Sequence, residues 1–372
     1  MRGVMTSHTE NHLYAVVIAG VGTRMFWPLE REARPMPFLD PADMGSLLQG
    51  VLHRAEGIVP REHIVLVAGL HAKSLLEGVG ELYSEHNLLI EPVWRGTAAS
   101  VALAAAHVRK LDAEAVLLVI PADHVVHDEE ACEAVLRQAV AVASVREAMV
   151  VVGIEALRPE TGCGYIQKGA ELPLPEPETP EGSSHLYAVR AVVEKADYAT
   201  AVDFISSGDF CWNSGIFITR VDLLLHEFSR WIPELYRDLL SLSEVARTRD
   251  FKRVSAEVYA WLHRQSIESC LMEKSKRVVV LTGEFGWAAP CTWDDIIRLK
   301  GTSGGDEKEV VLLESEGVFV RKPPGRVVCC IGVSGLIVVD AGDALLICCR
   351  GEAGRVPGLL EELKRRGMDE VL

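Results

Sequence analysis

The 372-residue chain contains no apolar run near the roughly 20 residues that cross a bilayer, so no transmembrane helix is expected. It has no hydrophobic leader of secretory type either, and the polar stretch Met1 to His12 reads as a frayed extension. No CxxC pair is present. The nine cysteines are scattered as Cys132, Cys163, Cys211, Cys270 and Cys291, followed by the doublets Cys329/Cys330 and Cys348/Cys349. Neighbours on a strand point to opposite faces, so each doublet offers one thiol to a shared ion, and reduced core thiols are expected in place of structural zinc. Positive charge is also short, with 38 Lys and Arg against 53 Asp and Glu and a net charge of −15. Binding to a nucleic-acid backbone needs a basic face, so that partner is excluded, while a small anionic ligand in a locally basic cleft is not. Together these absences predict a soluble, cytoplasmic protein with neither a membrane nor a nucleic acid as partner.

What is present is a large apolar fraction, 49%, enough for a sizeable core and about two domains. From residue 13 to about 155, strand patterns (Tyr14 to Ala19, Ile64 to Ala68, Leu88 to Glu91, Ala115 to Ile120, Met149 to Ile154) alternate with helical ones. The helical patterns are Ser46 to Ile58, His71 to Tyr83, Ala98 to Lys110 and Glu129 to Val145. Such alternation predicts an α/β domain whose parallel sheet carries helices on both faces. The acidic, proline-rich stretch from Glu171 to Gly182 reads as an exposed insertion. Beyond Gly301 to Asp306, short strand patterns follow one another at Val310 to Leu313, Val318 to Val320, Val327 to Ile331, Leu336 to Val339 and Ala344 to Cys348. A helix over Pro357 to Arg366 closes the chain, so a small β appendix is expected.

Ligands of an open α/β sheet collect where its strands end. The first strand empties into Gly20-Val21-Gly22-Thr23-Arg24, where glycines let backbone N–H groups approach an anion and an arginine supplies a cationic fork. This loop fits neither GxxxxGKS/T nor GxGxxG, so alone it is equally an ordinary turn. After the fourth strand, Pro121-Ala122-Asp123-His124 offers a carboxylate suited to Mg²⁺ or, equally, a helix cap. Cys211-Trp212-Asn213-Ser214-Gly215 suits a polyol, with an amide for hydroxyls and a ring to cover a sugar face, or else holds a packed tryptophan. Glu194-Lys195 is either an acceptor for sugar hydroxyls beside a cation for a phosphate, or a surface ion pair.

The motifs together resemble the bacterial mannose-1-phosphate guanylyltransferases of the sugar-nucleotidyltransferase superfamily, from Leu13 to about Lys364. They are Val21 to Arg24 with Trp27-Pro28-Leu29, Arg34-Pro35, Glu91-Pro92 with Thr97-Ala98, and Pro121 to His124. Arg158-Pro-Glu-Thr-Gly-Cys-Gly-Tyr-Ile166, Glu194-Lys195, Trp212 to Gly215 and Met272-Glu-Lys-Ser-Lys276 complete the set. The resemblance implies a Rossmann-like nucleotide-diphospho-sugar transferase domain over residues 13–300, with a mixed, mostly parallel sheet. A left-handed β-helix-like module with a terminal helix is implied over 307–372. It further implies that GTP and mannose 1-phosphate give GDP-mannose and pyrophosphate with Mg²⁺ as cofactor, by direct in-line attack. By position, Gly20, Gly22, Thr23 and Arg24 would cradle the triphosphate, Asp123 would bind Mg²⁺, and the loop of Glu91 and Thr97 would approach base and ribose. Gly164, Glu194 and Asn213 would hold the mannose, with Lys195 at the sugar phosphate and a homodimer open through the β module.

Three positions depart from the family pattern. The glycine loop is one residue shorter before its Gly-Thr-Arg element, the lysine of PKQF is Met36, and the metal-site aspartate of WxDxGxW is Ala289, with Glu268 as a candidate replacement. Losing one donor at a reacting phosphate costs on the order of 3 kcal/mol. The sequence therefore leaves two readings: a guanylyltransferase, or a weak or silent paralogue that binds sugar nucleotide and serves as a regulatory or partner subunit.

Overall fold

The computed structural model describes residues 7–20, 24–41, 45–72, 74–76, 87–175, 184–245, 250–300 and 309–372. The chain forms two compact units, Met1–Gly20 with Val51–Ala289 and Val21–Gly50 with Pro290–Leu372.

The first unit is built on β1 (Leu13–Ala19), β2 (Ile64–Gly69), β3 (Leu88–Glu91), β4 (Val116–Pro121), β5 (Val125–Val126) and β6 (Met149–Glu155). It continues with β7 (Gly164–Leu172), β8 (Ser184–Val193), β9 (Phe210–Arg220), β10 (Val278–Gly283) and β11 (Trp287–Ala288). Nine of them form one sheet in the order β3-β2-β1-β4-β9-β6-β10-β8-β7, and β5 pairs separately with β11. In that sheet β8 and β9 run opposite to the others, so it is mixed but mostly parallel in direction. The parallel sheet expected from the alternation is broken where β9 inserts antiparallel between β4 and β6. All seven residues of β1 are buried, as a strand covered on both faces requires.

The helices are α1 (Leu47–Glu56), α2 (Thr97–Leu111), α3 (Glu129–Val145), α4 (Tyr198–Ser207), α5 (Val221–Trp231), α6 (Pro233–Val245) and α7 (Phe251–Trp261). Every residue of α2 from Ala98 to Val108 is buried, the alanines letting it lie close to the sheet and to its neighbours. The start of α3 is set by Asp128, whose carboxylate accepts the Ala131 N–H at 2.9 Å, with Glu129 and Glu130 in the favourable first turn. Of the helix expected over His71 to Tyr83, the described part forms 3₁₀ turns at Leu70–Ala72 and Ser74–Leu76, and residues 73 and 77–83 lie outside the described residues. The polar leader also departs from expectation, with a short helix at Ser7–Asn11. The proline-rich insertion connects the antiparallel strands β7 and β8, and its first residues, Glu171 and Leu172, are still paired in the sheet. Residues 176–183 lie outside the described part.

The second unit carries α8 (Trp293–Lys300), β12 (Val310–Leu313), β13 (Phe319–Arg321), β14 (Val328–Ile331), β15 (Leu336–Asp340), β16 (Leu345–Cys349) and α9 (Val356–Arg365). Pairs β12–β14 and β13–β15 are parallel, β15–β16 antiparallel, and Val318, Val320 and Val338 form the core of this β-helix-like module. Residues 24–41 belong here too. Phe26 packs edge-on to Trp293 at 5.3 Å, the Trp293 indole donates to the Trp27 carbonyl at 3.0 Å, and the Trp27 indole donates to the Val371 carbonyl at 2.7 Å. The cysteines are all free thiols. Only Cys132, Cys211 and Cys270 are core thiols, each pushed up to about 12 by burial. In the doublets Cys329 and Cys349 face solvent while Cys330 and Cys348 turn partly inward, as strand alternation demands.

Candidate active site

Strands β1 and β4 are parallel neighbours with Ile18 opposite Pro121, so Gly20 and the loop Pro121–His124 leave the sheet at the same edge. The Ala122 N–H donates to the Ile18 carbonyl at 3.0 Å and ties the two exits together. Asp123 is part-exposed, yet its Oδ1 is buried and accepts no hydrogen bond. His124 Nε2 lies 3.5 Å from that oxygen, and burial lowers the imidazole pKa, outweighing the pull of Asp123. The ring stands edge-on to Trp287 at 5.2 Å. A carboxylate with an unsatisfied oxygen and an exposed side suits a hard cation that completes its shell with substrate phosphates. Pairing of Val125 with Ala288 and Val126 with Trp287 carries Ala289 to the Asp123 end of that ladder, so no second carboxylate arrives there from this segment. Among the described residues no group of three His, Cys, Asp or Glu is arranged to hold a metal.

The three residues assigned to the sugar come together. Gly164 and Asn213 face each other across β7 and β9. A Cβ on Gly164 would stand 3.1 Å from the Glu194 carbonyl, 3.2 Å from that of Val193 and 3.5 Å from the Asn213 Cβ. Glycine is thus required by close backbone approach. Opposite β6 the register of β9 shifts between Val151 and Gly153, a bulge in the strand segment that holds Asn213 to Ile216. Ser214 fills it by donating to the Val152 carbonyl at 2.7 Å, and the Asn213 carboxamide oxygen accepts the Gly215 N–H at 2.9 Å. Gly215 has φ +74, and its Cα faces Pro121 and His124, which brings the sugar cluster against the Asp123 loop. Glu194 and Lys195 follow β8 and are exposed. At Trp212 the structure decides between the two readings the sequence left open. At 4% exposure, with Arg158 stacked 5.1 Å from its ring centre, it is a packed tryptophan and offers no sugar platform.

The loop from Glu91 to Thr97 is held from within. Glu91 is 1% exposed and accepts from Ser100 at 2.8 Å and Tyr259 at 2.9 Å, so its side chain anchors the loop and does not face a ligand. Burial raises its pKa to about 7. Gly96, at φ +90, has room for no side chain, since a Cβ would fall 2.1 Å from the Gln265 carbonyl oxygen. Thr97 accepts the Ile267 N–H at 2.9 Å and also hydrogen-bonds the half-buried Glu268, whose pKa is raised by burial and then by the charge of Glu194. Glu268 therefore belongs with Thr97 and Glu194, beside the sugar residues. Trp94 lies against Gly20 with Arg264 stacked 4.2 Å from its ring centre.

Of the triphosphate residues, Gly22 and Thr23 lie outside the described part. Arg24, in the second unit, has φ 59, and its guanidinium is 3.4 Å from Glu32. Met36 is buried at 4% exposure. Sequence reasoning missed Gly96, Tyr259 and the Trp94–Arg264 pair. Tyr259 stands 168 positions from Glu91, and no local pattern announces that contact.

Residues 14–296 match the nucleotidyl transferase family and residues 308–363 the MannoseP isomerase/GMP-like beta-helix domain. The mannose-1-phosphate guanylyltransferase of Escherichia coli is 30% identical, covering 97% of this chain and 75% of its own. The alginate biosynthesis protein AlgA of Pseudomonas syringae pv. tomato is 31% identical over 96% of this chain and 73% of its own. A solved structure described as mannose-1-phosphate geranyltransferase from Thermus thermophilus superposes with a TM-score of 0.81 at 32% identity, covering 95% of this chain and 99% of that one. With its sugar-side motifs gathered at the strand ends and both domains matched, the chain belongs to the nucleotidyl transferase family, in its mannose-1-phosphate guanylyltransferase branch.

Proposed function

We propose that the chain transfers a guanylyl group from GTP to mannose 1-phosphate, giving GDP-mannose and pyrophosphate. The observation that carries this reading is the meeting of Gly164, Asn213 and the Glu194 backbone beside the Pro121–His124 loop, which sets a polyol-binding cluster next to a carboxylate with an unsatisfied oxygen. A phosphate oxygen of mannose 1-phosphate attacks the α-phosphorus, the bond from that phosphorus to the bridging oxygen breaks, and pyrophosphate leaves with the electron pair. Charge stabilisation and alignment do the work, with no covalent enzyme intermediate.

Gly20, Gly22, Thr23 and Arg24 cradle the triphosphate, Asn213 and Glu194 bind mannose hydroxyls over Gly164, and Lys195 meets the sugar phosphate. Thr97 stands in the loop that approaches base and ribose, with Glu91 holding that loop from behind. Asp123 would hold Mg²⁺, which when bound offsets negative charge on the triphosphate. With alanine at 289 the protein supplies few carboxylates, so oxygens of the substrate would be needed to complete the shell. The enzyme names of the relatives support turnover over a binding-only subunit.

The test is pyrophosphate release from GTP, mannose 1-phosphate and Mg²⁺, with GDP-mannose identified by mass. Release without mannose 1-phosphate, or equal rates with every hexose 1-phosphate, would overturn the assignment.

A further inference from the structure

Glu30 looks in the sequence like one more surface acid, in the charged run Leu29-Glu30-Arg31-Glu32. In the structure it is 1% exposed, whereas Glu32, two residues on, is half-exposed and lies 3.4 Å from the Arg24 guanidinium. The Glu30 carboxyl accepts the Phe26 N–H at 3.1 Å, and the Glu30 N–H donates back to the Phe26 carbonyl at 3.0 Å, so the turn is closed in both directions. Phe26 is itself pinned edge-on against Trp293. The chain then reverses through Arg31 and Arg34, whose backbones exchange hydrogen bonds of 3.1 and 3.0 Å. Burial raises the Glu30 pKa, opposed by the amides of Phe26, Arg24 and Met36 and by the Arg24 charge. The Phe26 amide thus holds this buried acceptor inside the turn that begins at Arg24, whose carbonyl accepts the Trp27 N–H at 3.4 Å, and Glu30 Oε1 still lacks a hydrogen-bond partner.

Arg24 is a non-glycine residue at φ 59, a conformation that L side chains adopt only when their surroundings enforce it. We propose that Glu30 is a positioning residue for the triphosphate: its carboxyl binds the turn that carries Arg24 and so sets where that guanidinium points. This rests on the assignment of Arg24 to the nucleotide given above. Glu30 touches no substrate. It acts by removing the freedom of a loop that would otherwise have to be ordered on binding.

The experiment uses the full chain and measures GTP affinity by calorimetry, alongside KM values for both substrates, in Glu30→Ala, Glu30→Asp and Glu30→Gln. Glu30→Ala is expected to weaken GTP binding about tenfold, with the KM for mannose 1-phosphate moving less than about twofold. Glu30→Asp, whose shorter arm withdraws the acceptor, is expected to follow it, so the question stays answerable where the alanine variant does not fold. Glu30→Gln retains an acceptor oxygen for the Phe26 N–H and is expected within about threefold of wild type. Unchanged GTP affinity in the Ala or Asp variant, or an equal rise in both KM values, would overturn the assignment. The affinity series needs no turnover, so a chain that binds GTP yet makes no GDP-mannose refutes the reaction alone. Altered turnover with intact GTP affinity refutes the role of Glu30 alone.

Discussion

Glu91 gives the molecule a pH-dependent stability whose size follows from its burial. The folded carboxyl titrates at about 7 against an ordinary 4.5, because burial outweighs the hydrogen bonds from Ser100 and Tyr259. The folded chain therefore holds this proton more tightly than the unfolded chain does. Its stabilising effect is complete below about pH 4.5 and disappears as pH rises through about 7. The gap between 7 and 4.5 corresponds to about 3 kcal/mol, most of it falling between about pH 5 and 8. Glu91→Gln replaces the titrating group by a neutral one of the same shape. Its carboxamide oxygen accepts from Tyr259 and its NH₂ donates to Ser100, which turns its own hydrogen to the Gly96 carbonyl 3.4 Å away. Urea unfolding of wild type and variant from about pH 5 to 8 isolates the effect, since the other groups titrate alike in both proteins. The stability of the variant relative to wild type should grow by about 2.5 kcal/mol across that range. A difference that stays flat, or shrinks with pH, would show that Glu91 is ionised without penalty and that the burial argument fails.

Asp123→Asn should lower turnover about a hundredfold and raise the Mg²⁺ concentration for half-maximal rate, and a Mg²⁺ titration superimposable on wild type would remove Asp123 from the metal site. Gly164→Ala pushes a methyl to 3.1 and 3.2 Å from two carbonyl oxygens in the sugar cluster. The KM for mannose 1-phosphate should rise about tenfold with that for GTP unaltered, and the opposite pattern would put the sugar elsewhere. Met36→Lys with Ala289→Asp should together raise the rate on the order of tenfold and more than either alone. An unchanged rate in the double variant would mean that these positions do not bear on the reacting phosphates.

Strand and helix identity was legible wherever periodicity was strong. The pattern Leu88 to Glu91 is β3, Glu129 to Val145 is α3 and Val310 to Leu313 is β12, with matching bounds. Failures came where local preference was weak or the partner was distant. The leader read as frayed carries a short helix at Ser7–Asn11, and the sheet read as parallel from local alternation takes in the antiparallel strand β9, which lies well beyond β6 in the chain, between β4 and β6. Among site residues, Gly164 and Asn213 were found by motif and are neighbours in the fold, because a close backbone approach tolerates only glycine and leaves that mark in the sequence. The residues left Trp212 open between a sugar platform and packing, and the resemblance put Glu91 in the loop toward base and ribose, whereas burial makes the first a packed ring and the second an anchor.

Amino-acid order alone determined the class of this molecule. Apolar alternation specifies which segments become strands and which helices, and motif spacing carries the family. Tertiary structure alone decided what individual carboxyl groups do. Glu32 and Glu30 are near neighbours of one chemical type, and Glu91 and Glu194 are the same residue type far apart in the chain, but the surroundings bury Glu30 and Glu91 among backbone and side-chain donors and leave Glu32 and Glu194 exposed. The reason is that a carboxyl's role depends on the dielectric around it and on donors brought from remote segments, and neither quantity is local in the chain.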